Sequence, residues 1–375
     1  MHRRSDIRRR LRAPRGSRPS ADPAAAQGGR ALARLLAVAL LVCLVALAVY
    51  AGTSLVLPGL LRLTRGPTVA RGVWLEVGEV RLELGGLGRE ELLGALEDAA
   101  PALSRPPVDA RLDPATKGVL PALEGCRLDV AATMEAAFRA PAGGRVDPVF
   151  YAVPPAVSLD DFADRPIYRG LPEKGAVALV LNVAWGDEHL DRILALVEEA
   201  GGRLTVCPVG AWLEGDEGRA GWLAAAAKRG HEVGNHGYYN RPMTYAEEQV
   251  AEEILRTGAL IETACGLRPL VFAPPMGAFA ESTLKAAARL GYRTVLWSLD
   301  TVDWRLEGVD VIAGRLARAE AGDIILCHPT AQTAPALEQA LPGLGAKGLR
   351  LVTLSELLSP ALPPPGQGIP SPEGG

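Results

Sequence analysis

Asparagine is almost missing from this chain of 375 residues: it occurs three times, at Asn182, Asn235 and Asn240. Cysteine occurs five times and never as CxxC, so neither a zinc ribbon nor a disulfide framework is signalled. Cys43 sits in a long apolar run, and Cys126 and Cys265 are scattered. Cys207 (LTVCP) and Cys327 (IILCH) fall in apolar strands, where a thiol serves as small core filler. Cys327 adjoins His328, but neighbours on a strand point to opposite faces, which argues against a Cys–His pair. Positive charge is also lacking where a nucleic-acid surface would need it. Ten arginines crowd into residues 1–34 against Asp6 and Asp22, a net +8 that leaves −11 for the rest of a chain totalling −3. A nucleic-acid binder carries its basic surface on the folded part, so no nucleic-acid partner is expected. Charge of either sign is absent from Leu35 to Leu61.

What is present begins with that uncharged run. About 20 apolar residues span a bilayer, and arginines on the N-terminal side alone place that end in the cytoplasm. Residues 1–34 are expected to be a basic, unstructured cytoplasmic tail and 35–57 a single-pass anchor in the cell membrane, with the rest extracytoplasmic. The alternative is secretion after signal cleavage near Ala46-Leu47-Ala48. Residues 62–158 read as a small α/β module: GVWLEVGEVRLEL alternates, GREELLGALEDAA is an amphipathic helix, and VDARLD, CRLDV and AATMEAAFRA repeat the theme. It carries no chemical motif and reads as a spacer or interaction module. A proline-studded linker, 159–175, follows. Over 176–358 short apolar runs (VALVL, RLTVC, HEVG, PLVFA, RTVLWSL, DIILC, LRLVT) alternate with helical stretches such as EHLDRILALVEEA and EEQVAEEILRTGALIETA. That order predicts parallel βα units in a distorted (β/α) barrel of about seven strands. Residues 359–375 are Pro/Gly-rich and expected to be unstructured.

In such folds chemistry gathers at the C-terminal strand ends. The first strand ends in Asn182-Val183-Ala184-Trp185, and the third runs into Asn235, His236 and Asn240. The fourth ends in Ala273-Pro274-Pro275-Met276-Gly277, the fifth in LWSLDTVDW with Asp303 and Trp304, the sixth in His328. All three asparagines fall at these ends. One asparagine there is ordinarily a turn former; three together point to a site.

From about Ala178 to Leu358 the order of these motifs resembles the polysaccharide deacetylase, or NodB-homology, family. PIYRGLPEKGAVALVLNVAWGDE, FAPPMGAF, LDTVDW and LCHPTAQTAPALEQAL, with DARLDPATKGVLPALEGCRLDV upstream, resemble its YlxY-type sporulation branch. The resemblance implies a NodB-type barrel, a divalent metal of zinc type, and a cell-wall polysaccharide or peptidoglycan partner in a spore-forming bacterium; it names no protein partner. Residue by residue, the family's catalytic base falls on Asn182 and its metal aspartate on Val183, which would close the metal position with methyl groups. Its metal histidine pair falls on His236 and Asn240. The arginine that holds the base falls on Ala273, and the substrate-side positions on Pro275, Gly277, Trp185 and Trp304. Its aspartate and acid histidine match Asp303 and His328.

The acid half is thus kept and the base and metal half replaced. Hydrolysis of an N-acetyl group needs a nucleophilic water, and a bound metal lowers the water pKa from about 15.7 to about 7. Catalytic sites usually use three protein ligands; here His236 alone is a sure one. Two readings follow. The first is a membrane-anchored envelope protein that binds glycan with little or no catalysis. The alternative is a working metal-dependent N-deacetylase of peptidoglycan or a related polymer, with Asp187, Glu188 or Glu232 standing in for the lost carboxylates.

Overall fold

The computed structural model describes residues 23–56, 66–363 and 365, and the chain divides into two compact units, 1–68 and 69–375. In the first unit, helix α1 (Pro23–Ala51) continues into a π-helical turn at Gly52–Val56. It starts inside the stretch expected to be unstructured, because PAAAQGGRALARLL combines a proline at the first helical position with alanines, the best helix formers. Residues 1–22 of the expected tail lie outside the described residues. Arg34–Ser54 is long and apolar enough to cross a membrane, with a mean hydropathy of 2.7.

The second unit opens with the hairpin β1 (Trp74–Val77) and β2 (Val80–Glu83), followed by α2 (Arg89–Leu103). Next come β3 (Arg111–Leu112), β4 (Val119–Leu120) and β5 (Gly125–Leu128). Then follow α3 (Val130–Arg139), β6 (Arg145–Val146) and β7 (Phe150–Val153). β6 lies parallel to β1, β3 pairs with β4, and β5 with β7. The alternation of WLEV buries Leu75 and Val77, and these join Leu92, Leu96 and Met134 of the helices in one apolar cluster.

Seven stretches of parallel strand follow, as the apolar runs predict. They are β8 (Ala176–Val183), β9 (Thr205–Pro208), β10 (Glu232–Val233), β11 (Val271–Phe272), β12 with β13 (Arg293–Thr294 and Leu299–Asp300), β14 (Ile324–Cys327) and β15 (Arg350–Val352). β8 pairs with β9, β14 and β15. β9 pairs with β10, a bridge from Asn235 to Phe272 leads on to β11, and β11 pairs with β12. β13 returns to β14. The fifth run is interrupted: between β12 and β13 the segment 295–298 leaves one neighbour for the other.

The helices between them are α4 (Asp187–Glu199), the short α5 (Gly210–Leu213), α6 (Glu217–Lys228), α7 (Glu247–Cys265), α8 (Glu281–Arg289), α9 (Val309–Leu316), α10 (Thr333–Ala346) and α11 (Leu354–Leu358). α4 buries Leu190, Ile193, Leu194 and Val197, the i, i+3, i+4, i+7 stripe of a helix packed on a sheet.

The two faces of β8 are buried differently. Val177, Leu179, Leu181 and Val183 join the cluster shared with α4 and α10, whereas Ala176, Ala178 and Val180 join Cys207, Val271, Ala273 and Ile324 on the inner side. The stretch 166–170 is hydrogen-bonded to β12 and to the turn before β14, the Ile167 amide to the Thr294 carbonyl at 2.9 Å and the Gly170 amide to the Gly322 carbonyl at 2.7 Å. Residues 360–363 are pinned too: Pro360 accepts from the Glu124 amide, Ala361 from Lys174 Nζ and Pro363 from Arg105. That corrects the expected tail from residue 359 onward as far as 363, where backbone carbonyls meet buried donors. Residues 364 and 366–375 lie outside the described residues.

Candidate functional site

The site grows from the inner face of the strand ends. Period-two alternation along β8 continues the Ala178, Val180 row to Asn182, which is 3% exposed. The register Cys327 to Leu181 sets His328, one residue on, level with Asn182 on the neighbouring strand. On the other side Pro208 pairs with Val183, and the His236 amide donates to the Pro208 carbonyl. Asn182, His236 and His328 therefore gather at the same strand ends.

His328 and Asp303 form the expected pair. Asp303 is fully buried; its Oδ1 lies 2.8 Å from His328 Nδ1, and its Oδ2 accepts from the His328 amide at 2.7 Å and from Thr333 Oγ1 at 2.8 Å. Thr333 had no signal in the sequence beyond lying in the same motif. The turn that delivers Asp303 is strained, with Val302 at φ 53° and Leu306 at φ 56° on either side of it, a region that side-chain-bearing residues rarely enter. Trp185 stacks on His328, the rings 5.8 Å apart and 10° from parallel. Trp185 and Trp304 are both about half exposed, the latter with the Arg305 guanidinium over its ring.

His236 is buried, with Nδ1 2.6 Å from the Ala273 carbonyl. A carbonyl can only accept, so Nδ1 carries the hydrogen and Nε2 the lone pair. Burial first, with the nearby His328 adding repulsion, pushes its pKa down to about 4. Ala273 thus holds the histidine through its backbone. Pro275 is buried, and Gly277 at φ 65° lets Trp297 approach where a Cβ would stand 2.6 Å from its ring.

Other expectations are corrected. Val183 packs on the helix side of the sheet, on the face opposite the Ala178 and Val180 row that leads to Asn182. Asn240 is exposed in an irregular stretch, while its intended companion His236 is buried. Asn235 serves the fold: its Nδ2 donates to the Ile254 carbonyl at 2.8 Å and its Oδ1 accepts from the Gly237 amide at 2.9 Å. The stand-in carboxylates are engaged elsewhere. Asp187 accepts from Trp212 Nε1 at 2.6 Å and Arg219 Nε at 2.7 Å; against the effect of burial, these bonds hold it below the usual carboxylate range. Glu188 lies beside His189, and Glu232 bonds Thr205 and Ser355 at the opposite, N-terminal end of the strands. Cys327 is buried on the other face, and burial pushes its thiol pKa well up, so it offers no thiolate.

A divalent metal of the kind expected does not fit these residues. Among the described residues no group of three or more His, Cys, Asp or Glu side chains gathers to hold one. What Asn182 offers is an amide: its Oδ1 is buried with no hydrogen-bond partner.

A family profile described as polysaccharide deacetylase matches residues 169–295. The chain is 32% identical over 272 residues, 72% of its length and 84% of the relative's, to the uncharacterized protein YlxY of Bacillus subtilis. It is 37% identical over 138 residues, 35% of this chain and 65% of the relative, to a peptidoglycan-N-acetylglucosamine deacetylase of Bacillus cereus. Among solved structures, a CE4 family pseudoenzyme from Bacillus anthracis matches with a TM-score of 0.63 at 31% identity, covering 72% of this chain and 95% of that one. A mutant of that protein with restored enzymatic activity gives 0.63 at 30% identity, covering 72% and 98%. The chain belongs to the polysaccharide deacetylase family.

Proposed function

We propose that this protein holds a cell-wall glycan in the crevice at Asn182, His236 and His328 and hydrolyses it little or not at all. The observation that carries the reading is the buried Asn182 carboxamide at the base position. An amide cannot take a proton from water at neutral pH, and among the described residues no ligand set gathers to hold a metal that would activate that water. The retained Asp303–His328 pair could still donate a proton, but a proton donor without a nucleophile does not complete the hydrolysis. The half-exposed indoles of Trp185 and Trp304 give sugar rings apolar faces to pack on. The pseudoenzyme likeness supports weak catalysis, and the peptidoglycan deacetylase relative supports a wall polymer as ligand.

The helix Arg34–Ser54, preceded by arginines, serves as a single-pass anchor with the N-terminus in the cytoplasm, and the domains beyond it face the wall. A role in sporulation or wall remodelling rests on the motif resemblance to the YlxY-type branch.

The test is acetate release and glycan binding by the full chain in detergent, with peptidoglycan and N-acetylglucosamine oligomers, with and without added zinc. Binding without acetate release is expected. Acetate release stimulated by zinc would instead favour the working deacetylase.

A further inference from the structure

We infer that a wall glycan is also held outside the crevice, in a groove between the loop after β10 and helix α7 that takes a neutral, hydroxyl-rich stretch of the same polymer; this rests on the glycan reading above. The loop 238–245 begins two residues after His236 and lies against α7 around a cavity of about 590 Å³. Small-molecule sites usually enclose about 300–1,000 Å³. Three of the chain's seven tyrosines line it, Tyr238, Tyr239 and Tyr245. From α7 it receives Gln249, Glu252, Glu253 and Arg256, the i, i+3, i+4, i+7 face of the helix. These side chains are fixed before any ligand arrives. Glu253, 8% exposed, accepts from Arg241 Nη2 at 2.7 Å and from the Tyr245 hydroxyl at 2.5 Å. Glu214 accepts from the Tyr238 hydroxyl and from Arg256 Nη2. The Arg241 guanidinium lies 4.6 Å over the Tyr239 ring, and that of Arg256 3.8 Å over Tyr238. Groups already locked in place lose little rotamer freedom when a ligand binds.

Charge narrows the choice of ligand. Arg241 and Arg256 stand against Glu214, Glu252 and Glu253, and each arginine already faces a carboxylate, so an anion meets no spare cation in this lining. A cationic ligand would press on two guanidiniums that hold the carboxylates it needs. What remains on offer is neutral. A guanidinium has five N–H donors, and both arginines are about half exposed with donors left over. Gln249 and Glu252 are exposed and supply acceptors, and Tyr239 is 45% exposed. Hydroxyl and acetamido groups, which both donate and accept, match that mixture, and a sugar ring can pack on the tyrosine. The groove also runs on: a second cavity of about 570 Å³ follows α7 to Leu255 and Arg289, sharing Glu252 and Arg256 with the first. That length suits a linear polymer. Tyr239 lies three residues past His236, so its Cα stands within about 11 Å of that histidine's. One glycan strand can therefore engage crevice and groove together, the second contact gaining from high effective concentration.

The experiment is calorimetric titration of the full chain in detergent with N-acetylglucosamine oligomers, the dimer against the hexamer. Hexamer binding at least about tenfold tighter than dimer binding is expected. Y239A combined with Q249A alters two exposed side chains. It should bring the hexamer down to the affinity of the dimer, leaving dimer binding and the melting temperature unchanged. E252A should lose part of the same gain. Equal affinities of hexamer and dimer in the parent, or a hexamer gain untouched in both variants, would overturn the inference and leave the crevice reading standing. Dimer binding lost along with hexamer binding in the double variant would mark support of the crevice, not a separate groove, and also overturn it. Binding of neither oligomer by the parent would overturn the glycan reading itself and the inference with it. Displacement of the hexamer by inorganic phosphate would assign the groove to an anion and overturn the inference.

Discussion

Asn182 and Lys174 are both buried polar residues, and they fail to be satisfied in different ways. Asn182 leaves its Oδ1 without a partner, so removing the amide removes a cost. N182L should unfold in urea within about 1 kcal/mol of the parent, or later than it, while losing glycan binding. That would mark the residue as kept for function against stability. Lys174, 6% exposed, gives its Nζ to the Ala361 carbonyl. Burial, with Arg350 close by, pulls its pKa down from 10.5 to about 8, with Glu124 and Glu356 pulling the other way. The unfolded chain therefore binds the extra proton between about pH 8 and 10.5, and this group's contribution to stability rises with pH over that window. The shift corresponds to about 3 kcal/mol withheld at neutral pH. K174M should flatten the stability profile from pH 8 to 10 and melt no lower than the parent at pH 7. A parallel fall in both proteins would refute the assignment.

At the scale of elements, the turn from β8 into α4 is the tightest join in the site. Gly186 has φ 82°, and a Cβ there would stand 2.0 Å from the Pro329 carbonyl oxygen, next to His328. G186A should cost more than about 2 kcal/mol in denaturant titrations, since a left-handed alanine and a clash add together. It should also alter the tryptophan fluorescence through Trp185. Leu306 closes the Asp303 turn at φ 56° while 54% exposed. L306N should stabilise by about 0.5–1 kcal/mol, because asparagine enters that region at lower cost. These elements also show what was legible beforehand. The seven parallel runs and the α4 stripe announce themselves because burial repeats with the period of the backbone. The Asp303–His328 pair was legible through its neighbours in order. The roles of Asn235, Val183 and Asp187 were not. Each depends on which face a side chain takes at a strand end, or on a partner far along the chain such as Ile254 or Arg219. Helix α10 carries a weaker sequence signal, because Pro342 and two glycines interrupt its pattern.

For the whole molecule, the anchor proposed for Arg34–Ser54 predicts where the site works. The intact chain should sediment with membranes, resist extraction at alkaline pH and lose its C-terminal domains to protease added outside the cell. Release of a shortened soluble form would show cleavage after the apolar run instead. Within the folded unit, β8 is the strand on which the others converge. β14 and β15 both lie against it, and the carbonyl of Ala361 meets the lysine that stands just before it. If the N-terminus stays in the cytoplasm, as proposed, the segment after the anchor crosses first, so β8 is delivered early and these partners late. Sequence-distant pairings make folding slow, so the chain waits with one edge of that strand bare until β14 arrives and the other only part-covered by β9 until β15 arrives. The order in which the chain emerges thereby becomes part of the folding problem.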